Sequence, residues 1–586
     1  MPINQQSTIS NQKSAICNFE LENPMVRVAS FVVAVLLAAG SAASQQVVFQ
    51  TMPGVPQGPA RDTSQQKPGT AIVRGRVFAA DNGQPLRKAQ VRITAPELRE
   101  NRLTTTDAEG RYEFKELLAG RYTVTASKGS YVTLSYGQTR PLEPGKPLEI
   151  LDKQTVEKVD LMLPRGGVIT GRVVDEFGDP VSDVMVSVQR YQFMQGRRRL
   201  MPAGRNGMTN DVGEFRLFAI PPGQYYLSAT LRNMMGFGAE SDDRSGYSPT
   251  YFPGTPNVAE AQRVTIRVGQ ILSDINMALV PTRTAKISGT AVDSQGRPMS
   301  GMVMAVPKGE FMGMFGPPAQ IRPDGSFSIG GLSPNTYTVQ VMGPSGPDNE
   351  YASAEVTVSG DDVTAVQLVA TKPILVAGRV IVDPAAASSL RPSSVRLMAQ
   401  PAVMDGMMIN MLPPSTVSDD FGFEVKTRPG KMRLAFGGPP LPGWSIRAVR
   451  YHGEDVTDGG IDFRPGENVS DVEVELTNRM SDVSGLVTNG RGDAVKDYTV
   501  IAFAQDRDRW TIANRYVRNA RPDQDGRFKL TGLPPGDYFV VALDSVDGTE
   551  WMDPEFLDSI KTKASSFSLG DGETKTLDLK LNTTSS

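Results

Sequence analysis

The 586-residue chain contains one cysteine, Cys17, and one histidine, His452. No disulfide can form within it, so each domain must stand on its apolar core alone. Zinc peptidase chemistry needs imidazole and carboxylate ligands converging on an open metal position, usually with at least two histidines. One histidine does not supply that set. A Ser-His-Asp site would have to recruit His452, and no Gly-x-Ser-x-Gly elbow accompanies it. The segment Tyr451-His-Gly-Glu-Asp reads as an exposed loop. Charge of one sign is lacking too. The 61 Lys and Arg nearly balance the 64 Asp and Glu, for a net charge of −3. That leaves no basic field for nucleic acid and no acidic tail. No amphipathic helical pattern longer than a turn or two follows the N-terminal segment. The glycines sit at turns without a following helix N-terminus, so phosphate cradles are absent as well. No catalytic constellation, cofactor or metal is expected.

Glycine (57 residues) and proline (43) are plentiful, and they mark a unit that recurs five times. Two copies are clear: Asp211-Val-Gly-Glu-Phe-Arg-Leu-Phe-Ala-Ile-Pro-Pro-Gly-Gln-Tyr and Asp525-Gly-Arg-Phe-Lys-Leu-Thr-Gly-Leu-Pro-Pro-Gly-Asp-Tyr. Looser copies start at Glu109, Asp324 and Asp420. Ten residues separate the aromatics Tyr112 and Tyr122, Phe215 and Tyr225, Phe327 and Tyr337, and Phe528 and Tyr538. The fourth copy has nine, from Phe423 to Met432. The Asp/Gly pair permits a tight reversal because glycine accepts positive φ. The alternating residues after it, with Phe528 and Leu530 facing in and Arg527 and Lys529 facing out, predict a half-buried strand. Pro-Pro-Gly then predicts a second turn, after which the Tyr-x-Val run pairs back to close a hairpin. The turn glycines Gly110, Gly213, Gly325, Gly422 and Gly526 recur at about one hundred residues, which means tandem domains.

In chain order, Met25–Ala43 has the form of a secretory signal. Arg27 supplies a positive start, Val28–Ala39 a short apolar run, and Ser41-Ala42-Ala43 a cleavage site. Translation is expected to begin at Met25, and residues 44–69 read as a disordered linker rich in Gln, Pro and Gly. The repeats are expected at 70–164, 165–282, 283–371, 372–478 and 479–586. Each opens on an apolar strand broken by glycine, as in Ile72-Val-Arg-Gly-Arg-Val and Val483-Ser-Gly-Leu-Val-Thr. Glycine inside a strand marks a bulge or a close backbone approach. An alternating strand follows a polar turn: Ala89, Val91 and Ile93; Val184, Val186 and Val188; Met302, Met304 and Val306; Tyr498, Val500 and Ala502. About seven short strands per hundred residues predict an all-β tandem array of small β-sandwiches.

The pattern Gly-Arg-Val…Gly-x-Pro-Val…Asp-Gly-x-Phe…Leu-Pro-Pro-Gly-x-Tyr resembles the carboxypeptidase regulatory-like repeat over most of residues 70–582. The resemblance implies a transthyretin-like or immunoglobulin-like sandwich, found in secreted and envelope proteins of bacteria. It also implies a non-catalytic accessory module, sometimes grouped with carbohydrate-binding folds. A fold-level likeness of this kind fixes architecture better than function. The expected location is secreted: periplasmic, outer-surface or extracellular in a bacterium.

Two kinds of loop compete for the binding role. Ahead of the recurrent unit, repeats two, three and four carry methionine-rich loops. These hold Met194, Met201 and Met208, then Met312 and Met314, then Met404, Met407, Met408 and Met411. Soft side chains that repack easily suit a contact surface for an envelope protein, and they equally suit a cap over their own core. Thioether copper binding at Met404…Met411 lacks any assisting histidine or cysteine. In repeat five the same position reads Asp506-Arg-Asp-Arg509-Trp510-Thr-Ile-Ala-Asn514-Arg-Tyr516. Aromatic faces among Asp, Asn and Arg can stack on a sugar ring and bond its hydroxyls. With Tyr251 and Phe252 of repeat two, these residues are the candidate polysaccharide contacts. The competing reading packs Trp510 beneath its own loop. Arg491-Gly-Asp493 and Asp523-Gln-Asp525 are explained by turn chemistry. A rod of stacked repeats is expected, with membrane contact only through an uncleaved signal segment.

Overall fold

The computed structural model describes residues 69–584 apart from 96–99, 141, 195, 232–244, 309–317, 343–349, 403–411, 439–440 and 512–514. The expected signal segment and most of the linker lie outside the described residues. Strands dominate, and no described helix is long and apolar enough to cross a membrane. Buried apolar side chains gather into five separate clusters, one beneath each repeat.

Repeat one shows the plan. Strand β1 (Ala71–Ala79) pairs antiparallel with β4 (Arg111–Leu117) and parallel with the short strands Thr155–Val156 and Leu161–Leu163. A second sheet has β2 (Gln90–Ala95) between β3 (Glu100–Thr105) and β5 (Gly120–Ser127). The two sheets close over Val73, Val91, Ile93, Phe114 and Val124. All five repeats share the antiparallel and parallel neighbours of the first strand.

The glycine inside each first strand answers to a close approach. A Cβ on Gly75, Gly171, Gly289, Gly378 or Gly485 would lie 1.8–1.9 Å from a carbonyl oxygen of the closing strand, that of Val159, Ile275, Val366, Val472 or Leu577. In four repeats the residue before that carbonyl has positive φ (Lys158, Asp274, Ala365, Asp471). The closing strand therefore bulges onto the one position without a side chain.

The recurrent unit differs from its expected form in one respect. The Asp-Gly turn is present: Asp523 Oδ1 accepts from the amides of Asp525 and Arg527, both at 2.9 Å. The strand after Pro-Pro-Gly, however, does not pair back on the Phe strand. Arg527–Leu533 joins the first-strand sheet, whereas Gly536–Leu543 pairs with Thr499–Ala504 in the opposite sheet. The unit is a corner that carries the chain across the sandwich. The ten-residue spacing puts both aromatics into the core from opposite sheets, which alternation alone could not separate from a hairpin.

The second strand of repeat three also differs. Val303 and Ala305 enter the core, and Met302 is exposed. Gly301 receives the amide of Ile321, the place that Ala89 takes for Thr106. Gly301 follows the turn proline Pro298 by three residues where Ala89 follows Pro85 by four, and a one-residue shift exchanges the two faces of a strand. In repeat five Thr499–Ala504 is buried on both faces. Leu557 and Ile560 of the short helix Pro554–Ile560 cover the outer one.

The repeats do not extend as an open rod. Repeat five meets repeat one, where Arg521 donates to the Gly137 carbonyl (3.2 Å) and Gln524 exchanges two 3.1 Å bonds with the backbone of Glu149. It meets repeat two through Arg198–Asp553 (2.7 Å) and Arg190–Asp547 (3.3 Å). It meets repeat four through Arg515, which donates to the Arg447 carbonyl (2.7 Å). A tandem period implies repeats in series and says nothing of how one repeat docks on another.

Candidate functional site

The loop after Thr499–Ala504 begins with a 3₁₀ turn, Arg507–Arg509, capped by the Asp506 carboxylate accepting from the Asp508 amide (3.0 Å). The turn directs Trp510 inward. Its indole N–H donates to the Ala504 carbonyl at 2.7 Å, and its ring meets Phe503 edge-on at 5.4 Å. Trp510 is 8% exposed. A ring in the core with its one donor used internally cannot serve as a sugar platform, so that expectation is corrected. Burial of the indole face outweighs the polar neighbours that made the loop look like a ligand site.

Tyr516 stands half-buried on the same core, stacked on Tyr538 with centroids 6.5 Å apart. The guanidinium groups of Arg509 and Arg515 lie 4.8 and 5.6 Å from its ring centre. Arg515 also faces Asp458 of repeat four at 3.6 Å. Burial pushes the Asp458 carboxyl up, against the opposing pull of Arg515. Tyr516 and Arg509 thus belong to the seam between repeats four and five. Asn514 lies outside the described residues.

Tyr251 and Phe252 do not join this loop. The Phe252 amide donates to the Leu227 carbonyl (3.0 Å), and its ring packs on the core of repeat two. Tyr251 is half-buried in a short strand paired with Ser228. Met312, Met314, Met404, Met407, Met408 and Met411 lie outside the described residues. In repeat two the loop is a hairpin, Val184–Met194 against Arg197–Pro202. Met201 is buried in it, and Met208 is 45% exposed just beyond.

One buried polar cluster carries no signal in the sequence. At the junction of repeats one and five, Arg521 has a side chain 2% exposed and donates to Asp497 at 2.6 Å. Glu143 of repeat one, 4% exposed, lies 3.8 Å from the same guanidinium. Lys146 reaches the Lys496 carbonyl and stands 3.5 Å from Asp497. Burial lowers the Lys146 ammonium, with Asp497 opposing. These groups come from loops 378 positions apart (143 to 521) and carry no local pattern.

His452 lies on an exposed turn, stacked 3.9 Å from Tyr451. Among the described residues no group of three His, Cys, Asp or Glu side chains could hold a metal ion.

Residues 72–154 match the carboxypeptidase regulatory-like domain, in agreement with the resemblance read from the repeats. Solved structures similar to the chain include a streptococcal ancillary pilin, with 15% identity over 51% of this chain and 98% of that one, at a TM-score of 0.19. The BcpA major pilin subunit of Bacillus cereus shows 11% identity over 52% of this chain and 99% of that one, at a TM-score of 0.13. The Bacillus anthracis TIE protein shows 14% identity at a TM-score of 0.15, and the match spans 51% of each chain. No curated protein matches the chain.

Proposed function

We propose that the chain is a non-catalytic scaffold of the bacterial envelope or extracellular space, holding its β-sandwich repeats in one fixed mutual arrangement. The observation that carries this is the charge junction of Arg521, Asp497 and Glu143 between the first and fifth repeats, in which Arg521 and Glu143 are buried. A guanidinium and a carboxylate withdrawn from water hold together only in a well-defined geometry. An open string of independent modules has no use for such a seam. The secretory-type segment Met25–Ala43 supports the location. The loop proposed for saccharide stacking in repeat five is occupied by contacts to repeat four, so a polysaccharide role has to be carried elsewhere on the scaffold.

Small-angle scattering of the chain from residue 68 onward tests the reading. A compact body of this length has a radius of gyration of about 24 Å, whereas five hundred-residue modules in line reach on the order of 45 Å. The smaller value is expected. A value near the larger one would overturn the scaffold reading.

A further inference from the structure

Between repeats one and two lies a cleft of about 500 Å³, bounded by the loop 127–133, the turn 203–205 and the corner 219–221. Its size falls in the range of small-ligand sites. Three charged side chains line it, Lys88, Lys128 and Arg205, and all are cationic. Among the described residues no carboxylate lines it. Several other cations of these two repeats have carboxylate partners, as in Arg74–Glu113 (2.7 Å), Arg111–Asp107 (2.8 Å) and Arg172–Glu214 (3.3 Å). An unmatched trio in a recess focuses a positive potential there.

Two of the three cations are held in place. Lys128 Nζ donates to the carbonyls of Arg87 (2.9 Å) and Lys88 (3.4 Å), which leaves its charge uncancelled. The Arg205 guanidinium rests 5.6 Å from the centre of the Phe218 ring. Between them stand neutral hydrogen-bonding groups, Gln90, Ser127 and Thr133, beside the Tyr131 ring. Arg165 lies 5.5 Å from that ring and is itself paired with Asp81 at 2.6 Å. No helix N-terminus opens onto the cleft, so the fixed dipoles that favour a phosphate are missing. Hydroxyl and amide groups mixed with cations suit a ligand carrying both hydroxyls and a carboxylate.

We infer that this cleft binds an acidic saccharide, a uronate-bearing segment whose carboxylate meets Lys88, Lys128 and Arg205. This goes beyond the scaffold reading and rests on it for the docking of repeat one on repeat two, although the cleft shares no residue with the Arg521 junction.

Calorimetric titration of the full chain with trigalacturonate and with its neutral methyl ester tests the assignment. The acid is expected to bind about tenfold or more tightly than the ester. The double variant Lys88→Asn/Arg205→Gln is expected to weaken the acid by a similar factor. Asparagine tolerates the left-handed backbone at Lys88, where φ is 54°. Arg172→Gln, outside the cleft, leaves binding within about twofold. Absence of binding, equal binding of acid and ester, or binding undiminished in the double variant overturns the assignment. Displacement of the saccharide by equimolar inorganic phosphate would make this a phosphate site and overturn it too. If the double variant fails to fold, the acid–ester comparison on the wild type still decides. Scattering of the unliganded chain reports the scaffold separately.

Discussion

The phenol of Tyr538 donates a 2.7 Å hydrogen bond to the carbonyl of Pro534, four residues earlier in the chain. Tyr122 makes the same bond to Leu118, Tyr225 to Pro221 and Tyr337 to Ser333. The bond pins the corner at which the chain leaves one sheet for the other. In repeat four Met432 holds the position, and the tether is missing there.

Replacing Tyr538 by Phe keeps the ring and strands the Pro534 carbonyl. A loss of about 1–2 kcal/mol is expected. Urea unfolding followed by tryptophan fluorescence measures it, since Trp510 and Trp551 both pack on the core of repeat five. An unchanged midpoint would show that the corner is set by Pro-Pro-Gly alone.

The same phenols predict an alkaline limit. Burial pushes Tyr225 up to about 12 and raises Tyr122 and Tyr538 as well. In an unfolded chain a phenol ionises near its ordinary value of about 10. The folded state therefore holds extra protons above that pH. The stabilisation is complete below pH 10 and is lost as pH rises through the folded values. Phenolate absorbance is expected to rise in step with loss of β-sheet circular dichroism. Titration of all the tyrosines before unfolding would contradict this.

Gly485→Ala is expected to be far worse than Gly492→Ala. The first places a Cβ 1.9 Å from the Leu577 carbonyl oxygen, and the second only strains a turn at φ 89° with open space around it. Losses of about 3 kcal/mol or more and about 1 kcal/mol are expected. Paired thermal melts check the order.

How much of this was legible depends on whether the signal is local. The glycine in Ile72-Val-Arg-Gly-Arg-Val announced a close approach, because no side chain fits there whatever the rest of the chain does. The aromatic spacing announced two inward rings, yet not that they hang from different sheets; Tyr225 pairs with its own repeat's distant strand edge, not its neighbour. Met302 misled because both faces of its strand are apolar and only the shorter turn decides between them. Trp510 misled because its loop is polar on one side only. Arg521 could not be found at all: an arginine in a loop looks the same whether it meets water or Glu143.

Trp510→Ala is expected to cost about 3–5 kcal/mol, as for a large core side chain. It should do so without altering saccharide binding. Acrylamide quenching should find the indole shielded, and strong quenching would return Trp510 to the surface.

Arg521→Ala leaves Glu143 buried without its cation, a change worth about 3–5 kcal/mol at the seam. The individual sandwiches should stay folded while the first and fifth part. The expected readout is unchanged circular dichroism with a larger radius of gyration; an unchanged radius would mean that the contacts of Gln524 and Arg198 suffice.

The seam between repeats one and five has a consequence for the order in which the protein assembles. Glu143 lies 378 positions ahead of Arg521 in the chain, and domains generally fold as units. The first repeat therefore completes its own core while its docking face waits, with Glu143 and Lys146 still hydrated. Joining ends this far apart costs little more than joining nearer ones, because loop-closure entropy grows only with the logarithm of length. Assembly is accordingly two-tiered: sandwiches form one by one, and the circuit shuts once, after the fifth has folded. A chain cut short anywhere before Arg521 would carry well-folded modules and never acquire the arrangement that makes them one body.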